Sequence, residues 1–117
     1  MKNKLYVLVD KTLDPIYGAV QGGHVVAEWL IENYNFNKKW EKAEWDWNND
    51  YLIYLSVDIK TWYEEIRRFD PGKFQWTWFE EPDLDNKMTA IAIYANDFPH
   101  SIIKKLNNEK LLEMENK

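Results

Sequence analysis

The chain has 117 residues, a net charge of −5 from 15 Lys and Arg against 20 Asp and Glu, and no cysteine. This length suits one core, so a single domain over 1–117 is predicted. The missing thiols exclude a disulfide framework, a Cys-ligated metal centre and thiol catalysis, and the acid excess argues against wholesale attachment to a phosphate backbone, which clustered Lys and Arg drive. Seven Trp, seven Tyr and five Phe beside four Gly and four Pro describe an aromatic-rich folded chain, not a low-complexity one. Apolar runs are only a few residues long, so neither a signal peptide nor a membrane span is predicted, and the expected location is cytoplasmic.

Leu5-Tyr6-Val7-Leu8-Val9 is short, apolar and partly β-branched, which predicts a buried first strand. Asp14 as cap and Pro15 in the first turn then open a helix whose Val20, His24, Ala27, Leu30, Ile31 and Tyr34 recur at spacings of three and four, predicting its buried face. Gly18, Gly22 and Gly23 each cost that helix about 1 kcal/mol against Ala, so a packed neighbour or a ligand must need a thin backbone there. Residues 35–50 are polar but hold Trp40, Trp45 and Trp47, and read as a loop or short helix over the core. A second strand over 51–57 follows, then a short helix capped by Asp58 and ending in Arg67-Arg68, and a turn at Asp70-Pro71-Gly72. Phe74 to Phe79 alternates aromatic and polar residues as a half-buried strand; an acidic loop from Glu80 to Lys87 leads to a fourth strand over 88–94, and Asp97 with Pro99 opens a last helix through Ile102, Ile103 and Leu106. The order predicts an α/β domain, one four-stranded mixed sheet covered by helices on both faces.

Several motifs fail on chemistry. Gly18 and Gly23 have a phosphate-loop separation, but His24-Val25 stands where Lys and a hydroxyl residue are required. Asp83-Leu84-Asp85 begins like a calcium loop whose later ligand, turn glycine and bidentate Glu are missing. Two histidines in the whole chain exclude a multi-histidine metal site, and Glu80, Glu81, Asp83 and Asp85 read first as a solvated acidic loop and only second as a magnesium site. No metal and no cofactor are expected.

The stretch YGAVQGGHVVAEWL resembles the archaeal and eukaryotic (type 2) peptidyl-tRNA hydrolases in placing Gln21 three residues before His24. EEPDLDNKMTAIAIY is similar to that family's acidic loop and Thr-initiated last strand, with Thr89 kept, and PHSIIKKLNNEKLLE to its closing helix. The resemblance implies a four-stranded sheet sandwiched by helices and a site around Gln21, His24, the acidic loop and Thr89. Two family lysines are absent: Tyr17 stands four residues before the Gln, and Asn48-Asn49-Asp50-Tyr51 occupies the start of the second strand. Cleaving an ester beside a phosphate backbone calls for such cations, so no catalytic residue is assigned and turnover is not expected. The expectation is instead a pocket of Tyr17, Gln21, His24, Trp76, Trp78, Asp83, Asp85, Asn86 and Thr89 that stacks and reads a nucleobase. Its ligand would be a nucleotide-type small molecule, with cyclic dinucleotides among the candidates. Lys73, Lys87 or an adjoining copy in a homo-oligomer would offset the acidic loop. Small aromatic-rich domains of this kind resemble bacteriophage proteins that sequester nucleotide signals of host defence. Peptidyl-tRNA hydrolysis, with tRNA as partner, is the alternative, and a protein-interaction module displaying Trp residues is the third reading.

Overall fold

The computed structural model describes residues 4–33, 51–69, 76–95 and 98–112. Tyr34, the Trp40, Trp45 and Trp47 segment, Asn48 to Asp50, the Asp70-Pro71-Gly72 turn, Lys73, Phe74 and Asp97 lie outside the described residues. The elements in chain order are β1 (Lys4–Asp10), α1 (Pro15–Asn33), β2 (Tyr51–Val57), α2 (Ile59–Phe69), β3 (Trp76–Glu81), a 3-10 turn (Pro82–Leu84), β4 (Lys87–Tyr94), α3 (His100–Asn107) and β5 (Lys110–Leu111). The strands form one mixed sheet in the order β3-β4-β1-β2-β5, parallel only between β1 and β2. Four strands are expected from sequence. The fifth, β5, has two residues, too few to carry a periodic signal. The acidic loop is also shorter than expected, because Glu80 and Glu81 belong to β3 and Lys87 to β4.

Helices cover both faces. Strand alternation sends Leu5, Val7 and Val9 of β1, with Ala90, Ala92 and Tyr94 of β4, against Val25 and Trp29 of α1. Tyr6, Leu8, Ile91 and Ile93 point the other way, onto Trp62 and Ile66 of α2 and Ile102 and Leu106 of α3. Capping follows sequence: Asp14 Oδ2 accepts from the Ile16 amide at 3.0 Å, and Asp58 Oδ1 accepts from the Thr61 amide at 3.2 Å. α3 starts at Pro99 without a side-chain cap.

Of the predicted buried face of α1, only Leu30 packs, partly buried, against the core among the described residues. Gly18, Gln21, Gly22, Val25 and Trp29 face the sheet, while Val20, His24, Ala27 and Ile31 are exposed. Hydropathy misleads because the first half of the inner stripe is built from glycines and a glutamine, and the outer one carries Ile16 at 68%, Val20 at 49% and Ile31 at 66% exposure. Of the three glycines, only Gly22 is required by the close approach of the helix to the sheet; a Cβ at Gly18 would make an ordinary contact at 3.6 Å and one at Gly23 would meet nothing within 4 Å. A Cβ at Gly22 would lie 2.4 Å from Tyr54 Cε2 and 3.0 Å from Val7 Cγ1.

β3 and β4 contain the irregularity that shapes the site. Phe79 pairs with Ala90 but Glu80 pairs with Met88, so β4 holds one extra residue, Thr89, at a bulge. A bulge re-aims a side chain. Thr89 and Ala90, although consecutive, both reach the α1 face.

Candidate functional site

Three segments converge where α1 crosses the ends of β3 and β4. Gln21, fully buried, donates through Nε2 to Glu81 Oε1 at 2.9 Å and accepts through Oε1 from Thr89 Oγ1 at 2.6 Å. The second oxygen of Glu81 accepts from the Asp83 amide at 3.1 Å. Glu81 reaches this position because Thr77, Phe79 and Glu81 share the α1 face of β3 by alternation. The Gln21 hydrogen bond, the Asp83 amide and the charge of nearby His24 hold the Glu81 carboxyl below the usual carboxylate range, against the opposing effect of its burial. Glu81 is therefore an ionised, oriented acceptor with 8% exposure.

Around it stand the helix residues of the expected pocket. Tyr17 lies one turn before Gln21; partial burial, then the charges of Glu81 and Asp83, push its phenol above the ordinary value. His24 stacks on Phe79, with ring centroids 4.8 Å apart and planes 22° apart, and is an exposed residue, not a core histidine. Asp83, Asp85 and Asn86 are exposed on the 82–86 turn. Asp85 and Asn86 have φ of 55° and 60°, a left-handed pair that Asp and Asn tolerate, and the Asn86 amide closes the turn on the Glu81 carbonyl at 2.9 Å.

The expected pocket divides in two. Trp76 and Trp78 lie on the opposite face of the sheet from Gln21 and His24, because alternation along β3 puts them with Ile91 and Ile93. There Tyr63 of α2 packs at 5.9 Å from Trp76 and 5.4 Å from Trp78, and Trp78 Nε1 donates to Glu80 Oε2 at 3.1 Å. Beside the expected Tyr17, the aromatic ring at the Gln21 site is Phe79, and the carboxylate at its centre is Glu81; neither Phe79 nor Glu81 is in the expected set. Continuing the Trp-Thr-Trp-Phe alternation two residues past Phe79 is the signal that finds Glu81.

The magnesium reading of the four acids does not fit this geometry, since Glu80 is on the Trp face, across the sheet from Glu81. Among the described residues no group of three or more His, Asp or Glu side chains is placed to hold a metal ion. Lys87, opposite Glu81 in the β3–β4 register, directs its Nζ to Asp10 Oδ2 at 3.2 Å. Burial raises the Asp10 carboxyl, but the Thr12 amide and hydroxyl and the Lys87 ammonium outweigh it, leaving Asp10 below the usual range. Lys87 and Asp10 thus neutralise one another beside the site. No described helix is long and apolar enough to cross a membrane. Compared with known proteins, the chain matches no family model and no curated protein.

Proposed function

We propose that this chain binds a nucleotide-type small molecule without turning it over, on a peptidyl-tRNA hydrolase-like fold, and that ligand capture serves to sequester a nucleotide signal. The observation that carries the reading is the Gln21–Glu81–Thr89 network. A small domain gains little net stability by burying an amide and an ionised carboxylate where apolar side chains would pack, and on this reading their value lies in aiming Glu81. Gln21 and Thr89 are buried and act through Glu81. The ligand contacts are Tyr17, His24, Glu81 and Asp83, with the base against the Tyr17 ring and the His24–Phe79 stack and its N–H donors toward Glu81. The acidic turn keeps the phosphates outward. The exposed α1 stripe of Ile16, Val20 and Ile31 interleaves with Tyr17 and His24, and a second copy seated on it would wall the ligand in and complete a homo-oligomer.

The co-location of Gln21, His24, an acidic residue and Thr89 also favours peptidyl-tRNA hydrolysis as a second reading. Native mass spectrometry against mono-, di- and cyclic dinucleotides, with a parallel assay for product and for peptide release from peptidyl-tRNA, separates the two. An intact nucleotide held at fixed stoichiometry and lost in Glu81→Ala supports binding. Product formation moves the protein to the hydrolases, and a monomer with no nucleotide affinity ends the binding reading.

A further inference from the structure

β3 is an edge strand: it pairs with β4, and no described strand lies along its outer side. A groove of about 500 Å3 follows that open edge, lined by residues 76–80 and by Glu28 and Glu32 of α1. α1 runs antiparallel to β3, since Glu32 accepts from Thr77 at 2.9 Å, His24 stacks on Phe79 and Gln21 bonds Glu81. Glu28 and Glu32 are four helical residues apart, about 6 Å along the axis. Alternate side chains on a strand repeat at about 6.6 Å. The two carboxylates therefore match the spacing of same-side residues on any strand laid beside β3. On the groove's other lip are Trp78, 37% exposed, and Glu80. None of Glu28, Glu32 and Glu80 makes an ion pair among the described residues.

We propose that this edge takes up an extended basic segment of a partner protein as an added strand. The peptide backbone completes the hydrogen bonding of β3, Arg or Lys at alternate positions meets Glu28 and Glu32, and the intervening side chains lie against Trp78 and Glu80. Charge selects this occupant over a second copy: β3-to-β3 pairing would bring each acidic lip against its own duplicate on a chain of net charge −5. Carboxylates placed only to repel other strands would not need a groove beside them, nor an exposed indole on its lip.

The test uses the full chain and a fluorescein-labelled peptide alternating Arg and Thr, with an alternating Glu and Thr peptide as control. Saturable anisotropy with the Arg peptide alone is expected, together with slowed amide exchange at 76–80 and affinity that drops steeply with salt. Glu28→Gln with Glu32→Gln should weaken binding about fivefold to tenfold with an unchanged melting temperature. The proposal is overturned by absence of binding, by binding that this double variant leaves intact, by protection elsewhere than β3, or by concentration-dependent protection of 76–80 without peptide, which would give the edge to a second copy.

Discussion

Gly22 and Gly23 are neighbours in the middle of α1, and alanine at the two positions should change stability in opposite directions. At Gly23 an added Cβ meets nothing within 4 Å, so Ala brings only its helix propensity and a less flexible unfolded chain, a gain of up to about 1 kcal/mol. At Gly22 the same gain is opposed by a Cβ 2.4 Å from Tyr54 Cε2 and 3.0 Å from both Tyr54 Cζ and Val7 Cγ1. Val7 is fully buried on the central strand and cannot retreat, and the half-buried Tyr54 ring would have to swing off the same cluster. Overpacking of this kind costs about 1–3 kcal/mol, leaving Gly22→Ala a net loss of about 1 kcal/mol and the two variants about 2 kcal/mol apart. At roughly 4 °C per kcal/mol for a domain of this size, their melting temperatures should differ by about 8 °C. Urea unfolding gives the free energies directly. The cost at Gly22 should shrink when Tyr54→Leu removes the ring edge. If Gly22→Ala stabilises as much as Gly23→Ala, the close approach of α1 to the sheet is not what the glycine serves, and the packing account of this helix is wrong.

Thr89→Val leaves Gln21 Oε1 without its donor in a fully buried position and should cost about 1–3 kcal/mol in urea unfolding, whereas Thr89→Ser, which keeps the hydroxyl, should cost well under half as much. Glu81 and Asp10 are both held below their unfolded pKa values, so the stability they contribute is complete above the ordinary carboxylate range near pH 4 and is lost as pH falls through their lower folded values. The melting temperature should accordingly fall between pH 5 and pH 2, and by less in a Glu81→Gln, Asp10→Asn double variant; equal acid sensitivity in the two proteins would refute the assignment. Asn86→Val places a β-branched residue at φ 60° and should destabilise by roughly 1–2 kcal/mol, while Asn86→Gly should be close to neutral, as checked by thermal melts.

The parts of this fold legible in the sequence are those whose signal is local. β1, β2 and β4 are apolar runs bounded by turn or cap residues, and Asp14 and Asp58 announce their helices three residues ahead of the amides they receive. What fails is what depends on a neighbour. The first half of α1's inner face is invisible to hydropathy because Gly18, Gln21 and Gly22 fit the sheet by size and hydrogen bonding, and the exposed Ile16, Val20 and Ile31 outweigh the signal of Val25 and Trp29. Alternation correctly puts Trp76 and Trp78 on one side of a strand, but which helix that side meets is set by sheet order, and it is α2, through Tyr63. The Thr89 bulge exists only in the pairing of two strands, so no single segment encodes it visibly.

That bulge also decides how the site should be understood. Without the extra residue in β4, Thr89 would follow the parity of Ile91 and Ile93 onto the α2 face, and Gln21 would lose its donor. With it, one hydroxyl fixes the glutamine amide, the amide fixes one Glu81 oxygen, and the amide of Asp83 fixes the other. Each link commits a lone pair or proton, so Glu81 presents its remaining acceptor sites in one orientation at the foot of Tyr17 and His24. If the network served only to hold α1 on the sheet, three well-packed apolar residues of similar volume would in many folds do so at little loss, because desolvation offsets most of what buried polar groups gain. An irregular strand, a buried amide and an ionised carboxylate are worth their cost where a carboxylate must face a ligand in a fixed direction, so the binding reading proposed above stands or falls with Glu81 more than with the histidine or the tryptophans.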